Sequence, residues 1–156
     1  MSAAAPVEPA SVEVGFYHCT RQPASAVAVK LAARALASGE RLLVIGSSDR
    51  LAGLDAALWA EEGFLAHGFA GGDDDAAQPI LLAERLVAAP GTAFLMLLET
   101  GLPPEFDAFR RVFNLFDDGT EAHTRARMDW KAISSREGVA RAYWQQKAGG
   151  GWEKQA

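Results

Sequence analysis

The sequence predicts an α/β fold: one domain, a mostly parallel sheet flanked by helices, doubly wound in the Rossmann-like manner. Three observations predict it. Short apolar runs rich in β-branched and aromatic residues alternate with stretches that repeat their apolar residues every three or four positions. The most apolar runs are nearly uninterrupted, as in strands covered on both faces. The chain has 156 residues and is 49% hydrophobic, which suits one core, whereas two domains would each be marginal. Strands alternating with helices in this way imply parallel pairing with crossover helices. A division into a flexible N-terminus over residues 1–11 and a single domain over 12–156 follows, since the opening is rich in Ala and Pro and no later stretch resembles a linker.

The elements are expected in this order. Residues 12–17 are β-branched and aromatic and form a first strand. Pro23 marks a helix start and Gly39 its end, with Val27, Leu31 and Ala35 as the buried stripe. Residues 41–45 form a buried strand, and Ser47 or Ser48 caps a helix carrying Leu51, Leu54 and Leu58 at core spacing. Trp59 and Phe64 fall at the end of that helix and in the glycine- and aspartate-rich connection after it. The whole stretch from Phe64 through Asp73-Asp74-Asp75 reads as connection rather than strand. A strand over 79–83 and an irregular or briefly helical piece over 84–88 follow. Residues 93–98 are the most hydrophobic run and form a central strand. Pro103-Pro104 stops it, a short helix covers 105–109, and 111–116 alternates as a strand. The last long helix spans 120–135 and the last strand 139–144. Gly149-Gly150-Gly151 then loosens the tail.

Net charge is −5, which opposes tight non-specific binding of nucleic acid. The distribution is uneven. Residues 1–118 carry 8 basic and 16 acidic side chains, and residues 119–156 carry 7 and 4. A basic last quarter on an acidic body reads either as a local anion site or as a charged, solvated helix. A single cysteine, Cys19, excludes an intramolecular disulfide and suits a reducing cytoplasm. No leader opens the chain and no apolar run reaches the length of a membrane span, so a soluble cytoplasmic protein is expected.

Catalytic and cofactor motifs are weak. Gly46-Ser47-Ser48-Asp49 follows a strand but has neither the further glycines nor the lysine of a phosphate loop, and Asp49 repels a phosphate there. No Gly-x-Gly-x-x-Gly occurs. His18 and Cys19 are adjacent, so a strand turns them to opposite faces. His67 and His123 have no ligand-spaced partner in sequence, and the three aspartates at 73–75 lack calcium-loop spacing. No serine sits in a Gly-x-Ser-x-Gly turn. No cofactor, metal site or catalytic set is expected. A nucleotide-binding enzyme of unknown reaction is the alternative that the fold class leaves open, and direct nucleic-acid binding through residues 119–156 is a further one.

The last helix carries more information. His123, Arg127 and Lys131 are spaced by four and line one face, with Trp130 three residues from Arg127 and Phe116 ending the strand before. A cation beside an aromatic surface suits a short acidic peptide ending in an apolar residue and a free carboxylate. The plainer alternative places Trp130 in the core and leaves the basic residues solvated.

Leu54-Asp55-Ala56-Ala57-Leu58-Trp59, Phe64-Leu65-Ala66-His67-Gly68, Tyr143-Trp144-Gln145-Gln146 and Gly151-Trp152-Glu153-Lys154, in this order, resemble the chi subunit of the bacterial DNA polymerase III holoenzyme, part of the clamp-loader assembly. The resemblance runs from about Val14 to Lys154. It implies a non-catalytic adaptor in DNA replication, without a cofactor, in contact with DNA only indirectly. It implies that the last helix docks the acidic C-terminal tail of single-stranded-DNA-binding protein, through a pattern of basic-x-x-x-Arg-x-x-aromatic-Lys. His123, Arg127, Trp130 and Lys131 match those spacings. Arg127 is then the residue for the terminal carboxylate, and His123 stands where other members can carry lysine. Trp59 and Phe64 look like the family's second surface, for the psi subunit or a helicase partner.

Overall fold

The computed structural model describes residues 11–63 and 65–156. Nearly all of the expected N-terminal segment, and Phe64, lie outside those residues. The elements are β1 (Val12–Cys19), α1 (Ala24–Ala37), β2 (Leu42–Ile45), α2 (Ser48–Ala60), β3 (His67–Phe69), β4 (Ile80–Ala83), β5 (Phe94–Leu98), β6 (Arg111–Asp117), α3 (Glu121–Ala132), β7 (Val139–Gln146) and β8 (Trp152–Lys154). Short 3-10 turns lie at Asp75–Ala77 and Pro104–Ala108. The strands form one sheet in the order β3-β4-β2-β5-β6-β1-β7-β8. Every pairing is parallel except β7 with β8. The α/β fold expected from the sequence is therefore present.

Burial explains the arrangement. β2, β4 and β5 are buried along their whole length, as strands with both faces covered must be. On one face Val44, Met96 and Leu115 pack under α1 and α2, together with Leu31, Leu54 and Leu58. On the other face Leu97, Val112 and Phe116 pack with Ala126 and Ile133 from α3 and its end. The helix starts are tied down by side chains. Ser47 Oγ accepts from the Arg50 N–H, and Thr120 Oγ1 from the His123 N–H. The carboxylate of Asp117, at the end of β6, accepts from the Ala24 N–H and so ties α1 to the sheet. Among the described residues no helix is long and apolar enough to cross a membrane.

Two expectations need correcting. His67–Phe69, read as connection, is an edge strand paired with β4. Three residues are too few for alternation to show. Tertiary contacts place them instead: His67 bonds to the Leu65 carbonyl at 2.8 Å and to Asp55 Oδ1 at 2.7 Å. The Gln78 side chain lies close over Gly68, 2.9 Å from where a Cβ would stand. The glycine triplet does not loosen the tail. Gly150 takes φ +91, Gly150 donates to the Lys147 carbonyl, and Lys147 donates to the Gly151 carbonyl. The turn delivers β8 to β7, and Trp152 meets Tyr17 edge-on at 5.4 Å. Residues 84–88 are irregular, one of the two forms expected, and a smaller difference is that the last helix stops at Ala132.

Cys19 closes β1 and is buried. Burial, then the nearby Asp117 and Glu99 carboxylates, push its thiol up to about 12. The thiolate is the reactive species, so the native protein should react with a thiol-specific dye at pH 8 at least about tenfold more slowly than the denatured chain. Comparing the labelling rate with and without denaturant checks this.

Candidate functional site: the face of α3

Helix α3 lies on the face of the sheet where β1, β6 and β7 present His18, Phe116 and Tyr143. Gly119, at φ +75, turns the chain out of β6 and Thr120 caps the helix. The helix then lowers His123 and Ala126 onto the sheet. His123 stacks on Phe116 with centroids 5.5 Å apart and lies 4.2 Å from the His18 ring. Its Nδ1 accepts the Gly119 N–H. Burial holds the His123 imidazole below its usual range. His18 and Arg127 act in the same direction and Asp118 acts against them.

The five residues expected to form one peptide surface therefore divide. Phe116 has 0% exposure and His123 7%, so both lie beneath the surface and form its floor. Spacing by four put His123 on the face of Arg127 and Lys131, but the first turn of α3 tilts that line into the sheet. The expectation that His123 lines the exposed face beside Arg127 and Lys131 is corrected accordingly. Arg127 and Lys131 are exposed, and among the described residues neither makes an ion pair. The Arg127 charge acts electrostatically on both the His123 imidazole and the Tyr143 hydroxyl.

Trp130 is half-buried, edge-on to Phe16 at 5.3 Å and to Tyr143 at 5.7 Å. Its cation partner is not Arg127. The Arg141 guanidinium lies 3.7 Å from the indole centroid, and Arg141 Nη1 donates to the Trp130 carbonyl at 2.7 Å. Arg141 is the residue that sequence reasoning missed, because the contact joins β7 to α3. A hollow of about 380 Å³ between α1 and the sheet is lined by Tyr17, Arg34, Arg111 and Trp144, and one of about 280 Å³ by Leu97, Leu102 and Arg125. Arg127 lines neither.

The C-terminal edge of the strands is acidic. Glu99, at φ 64, accepts the Asp117 N–H and the Thr120 hydroxyl, and Arg50 lies 3.7 Å from Glu99 and 3.8 Å from Asp117. Burial, reinforced by Asp117, raises the Glu99 carboxyl above its usual range. Ser47 is spent as a helix cap, and the Arg50 guanidinium at this edge is shared between Glu99 and Asp117. One grouping here was not legible in the sequence. His18, Asp118 and His123 bring one donor atom each to within 4.8 Å of one another.

A second exposed feature lies at the β3 edge. Trp59, in the last turn of α2, is 59% exposed and leans on the His67 ring at 4.7 Å. Phe69 is half exposed and, two residues from His67, shares its side of the strand. Phe69 was not singled out in the sequence because its strand was not.

A family model described as DNA polymerase III chi subunit, HolC, matches residues 12–141. No curated protein matches the chain.

Proposed function

The chain belongs to the DNA polymerase III chi subunit family, and from that premise we propose that it is a non-catalytic accessory subunit that links the clamp loader to the acidic C-terminal tail of single-stranded-DNA-binding protein. A replication accessory role follows from the family. The tail reading rests on one observation: α3 carries an exposed Arg127 without an ion-pair partner among the described residues, on the same helix whose His123 and Trp130 pack against Phe116 and Tyr143. A guanidinium binds a terminal carboxylate through two parallel hydrogen bonds, and Lys131 one turn on adds long-range attraction for an acidic segment. Trp130 and Tyr143 give the tail's apolar end a surface to lie against. Phe116 and His123 act by supporting this surface from below. Mechanically the protein bridges: holding the tail raises the clamp loader's effective concentration at coated single strands, with no contact to bases. Fluorescence titration of a tail peptide tests the reading. Affinity should fall as salt rises from low to physiological concentration, because exposed charges carry part of the contact.

The clamp-loader side of the bridge is assigned to Trp59 and Phe64, for a psi subunit or a helicase partner, and the exposed Phe69 adds to the aromatic surface that Trp59 presents. Trp59→Ala should weaken partner co-purification by at least about tenfold and leave the tail titration unchanged. Loss of both would show a folding defect. Unchanged partner binding would remove Trp59 from the assignment. A thermal-shift series with nucleotides tests the enzyme alternative, since a specific ligand raises the melting temperature.

A further inference from the structure

We propose that His18, Asp118 and His123 form a binding site for a divalent transition-metal ion of the zinc type. The three residues come from β1, the turn after β6 and α3, and only the fold unites them. His18 Nε2 lies 2.7 Å and His123 Nδ1 3.7 Å from the same oxygen, Asp118 Oδ1. All three donor atoms fall within 4.8 Å of one another. Donors around a four-coordinate zinc with bonds of about 2.0–2.1 Å stand roughly 3.3 Å apart, so small side-chain shifts suffice. Two imidazoles and a carboxylate suit zinc and its neighbours, whereas magnesium and calcium prefer all-oxygen sets.

The surroundings add three arguments. The Tyr143 hydroxyl sits 3.3 Å from His18 Nδ1, the outer contact that orients a ligating imidazole and leaves Nε2 facing the ion. Both histidines are buried while Asp118 is exposed, which gives a dry floor with an open side for entry. The location is the crevice at the C-terminal ends of β1 and β6, whose following helices leave to opposite faces. Such a crevice is where an open α/β sheet binds ligands. The Glu99 and Asp117 carboxylates are held by Arg50 and by backbone N–H groups, so Asp118 supplies the carboxylate of the site. Two features oppose binding: the Arg127 charge nearby, and the Gly119 N–H that now occupies His123 Nδ1 and must be displaced. They set the affinity below that of a structural zinc site. Three protein donors leave at least one coordination position to water.

The test uses untagged full-length protein freed of metal by a chelator and titrated with zinc chloride alone. Calorimetry should show saturable one-to-one binding. Imidazole ¹H–¹⁵N spectra should show the His18 and His123 rings shifting together while His67, the remaining histidine, stays still. Asp118→Asn changes an exposed side chain and should bind at least about tenfold more weakly with an unchanged melting temperature. No saturation by about 1 mM zinc, a shift confined to His67, or parental affinity in Asp118→Asn would each overturn the proposal. The ring shifts need no variant and decide the matter if Asp118→Asn misfolds.

Discussion

Phe116→Ala is expected to destabilise the protein by about 3–5 kcal/mol, the range for truncating a fully buried aromatic residue. Phe116 is wholly enclosed and touches His18, His123 and Tyr143 ring to ring. Its removal leaves a cavity where three strands and α3 meet, and the surrounding rings are too rigidly held to collapse into it. Urea denaturation followed by tryptophan fluorescence should show a lower midpoint with little change in slope. The result separates two roles for this residue. If it lay on the tail-binding surface, alanine would weaken the peptide contact and spare the fold. The burial of Phe116 predicts the opposite pattern: a loss of stability first, with any weaker tail binding following from it. Phe116→Leu keeps most of the volume and should cost less than about 1.5 kcal/mol, leaving tail affinity close to that of the parent.

Arg127→Ala is expected to behave in the reverse sense. The side chain is exposed and makes no ion pair among the described residues, so its loss should change stability by no more than about 0.5 kcal/mol. Tail affinity should fall by about 2 kcal/mol or more, roughly 30-fold, as for a charged interface anchor. Arg127→Lys should recover only part of it, since an ammonium keeps the charge but loses the two-point geometry. Calorimetric titration of a peptide with a free acidic and apolar C-terminus supplies the measurement. A matching peptide with an amidated end isolates the carboxylate, and wild type and Arg127→Ala should bind that peptide about equally. Equal affinity of both proteins for the free-acid peptide would remove Arg127 from the site.

The contrast between the two residues shows how far a sequence can be read here. Strands such as β5 and β2 were legible because a run like Phe94-Leu95-Met96-Leu97-Leu98 has no other economical place than between two layers. The helix starts at Ser47 and Thr120 follow the local chemistry of capping. What failed were contacts that depend on how elements are stacked. Helical spacing correctly aligned His123 with Arg127, yet it cannot say at which turn that line passes under the helix. Trp130 was correctly taken to sit beside a guanidinium, but the guanidinium comes from β7. β3 escaped notice because its three residues are held by Asp55 and β4 rather than by any pattern of their own. His18 lies 100 residues before Asp118, and Asp118 and His123, though close in sequence, do not have the spacing of a known metal motif.

The strand order has a consequence for biosynthesis. β1 leaves the ribosome first, yet its only neighbours in the sheet are β6 and β7. At translation speeds of about 5–20 residues per second, β6 emerges on the order of 5–20 seconds later. During that interval Val12, Val14 and Phe16, which face α3, have neither their strand neighbours nor that helix to cover them. A nascent chain halted before β6 should therefore keep its first strand accessible to holdase chaperones, and release should coincide with delivery of the second half.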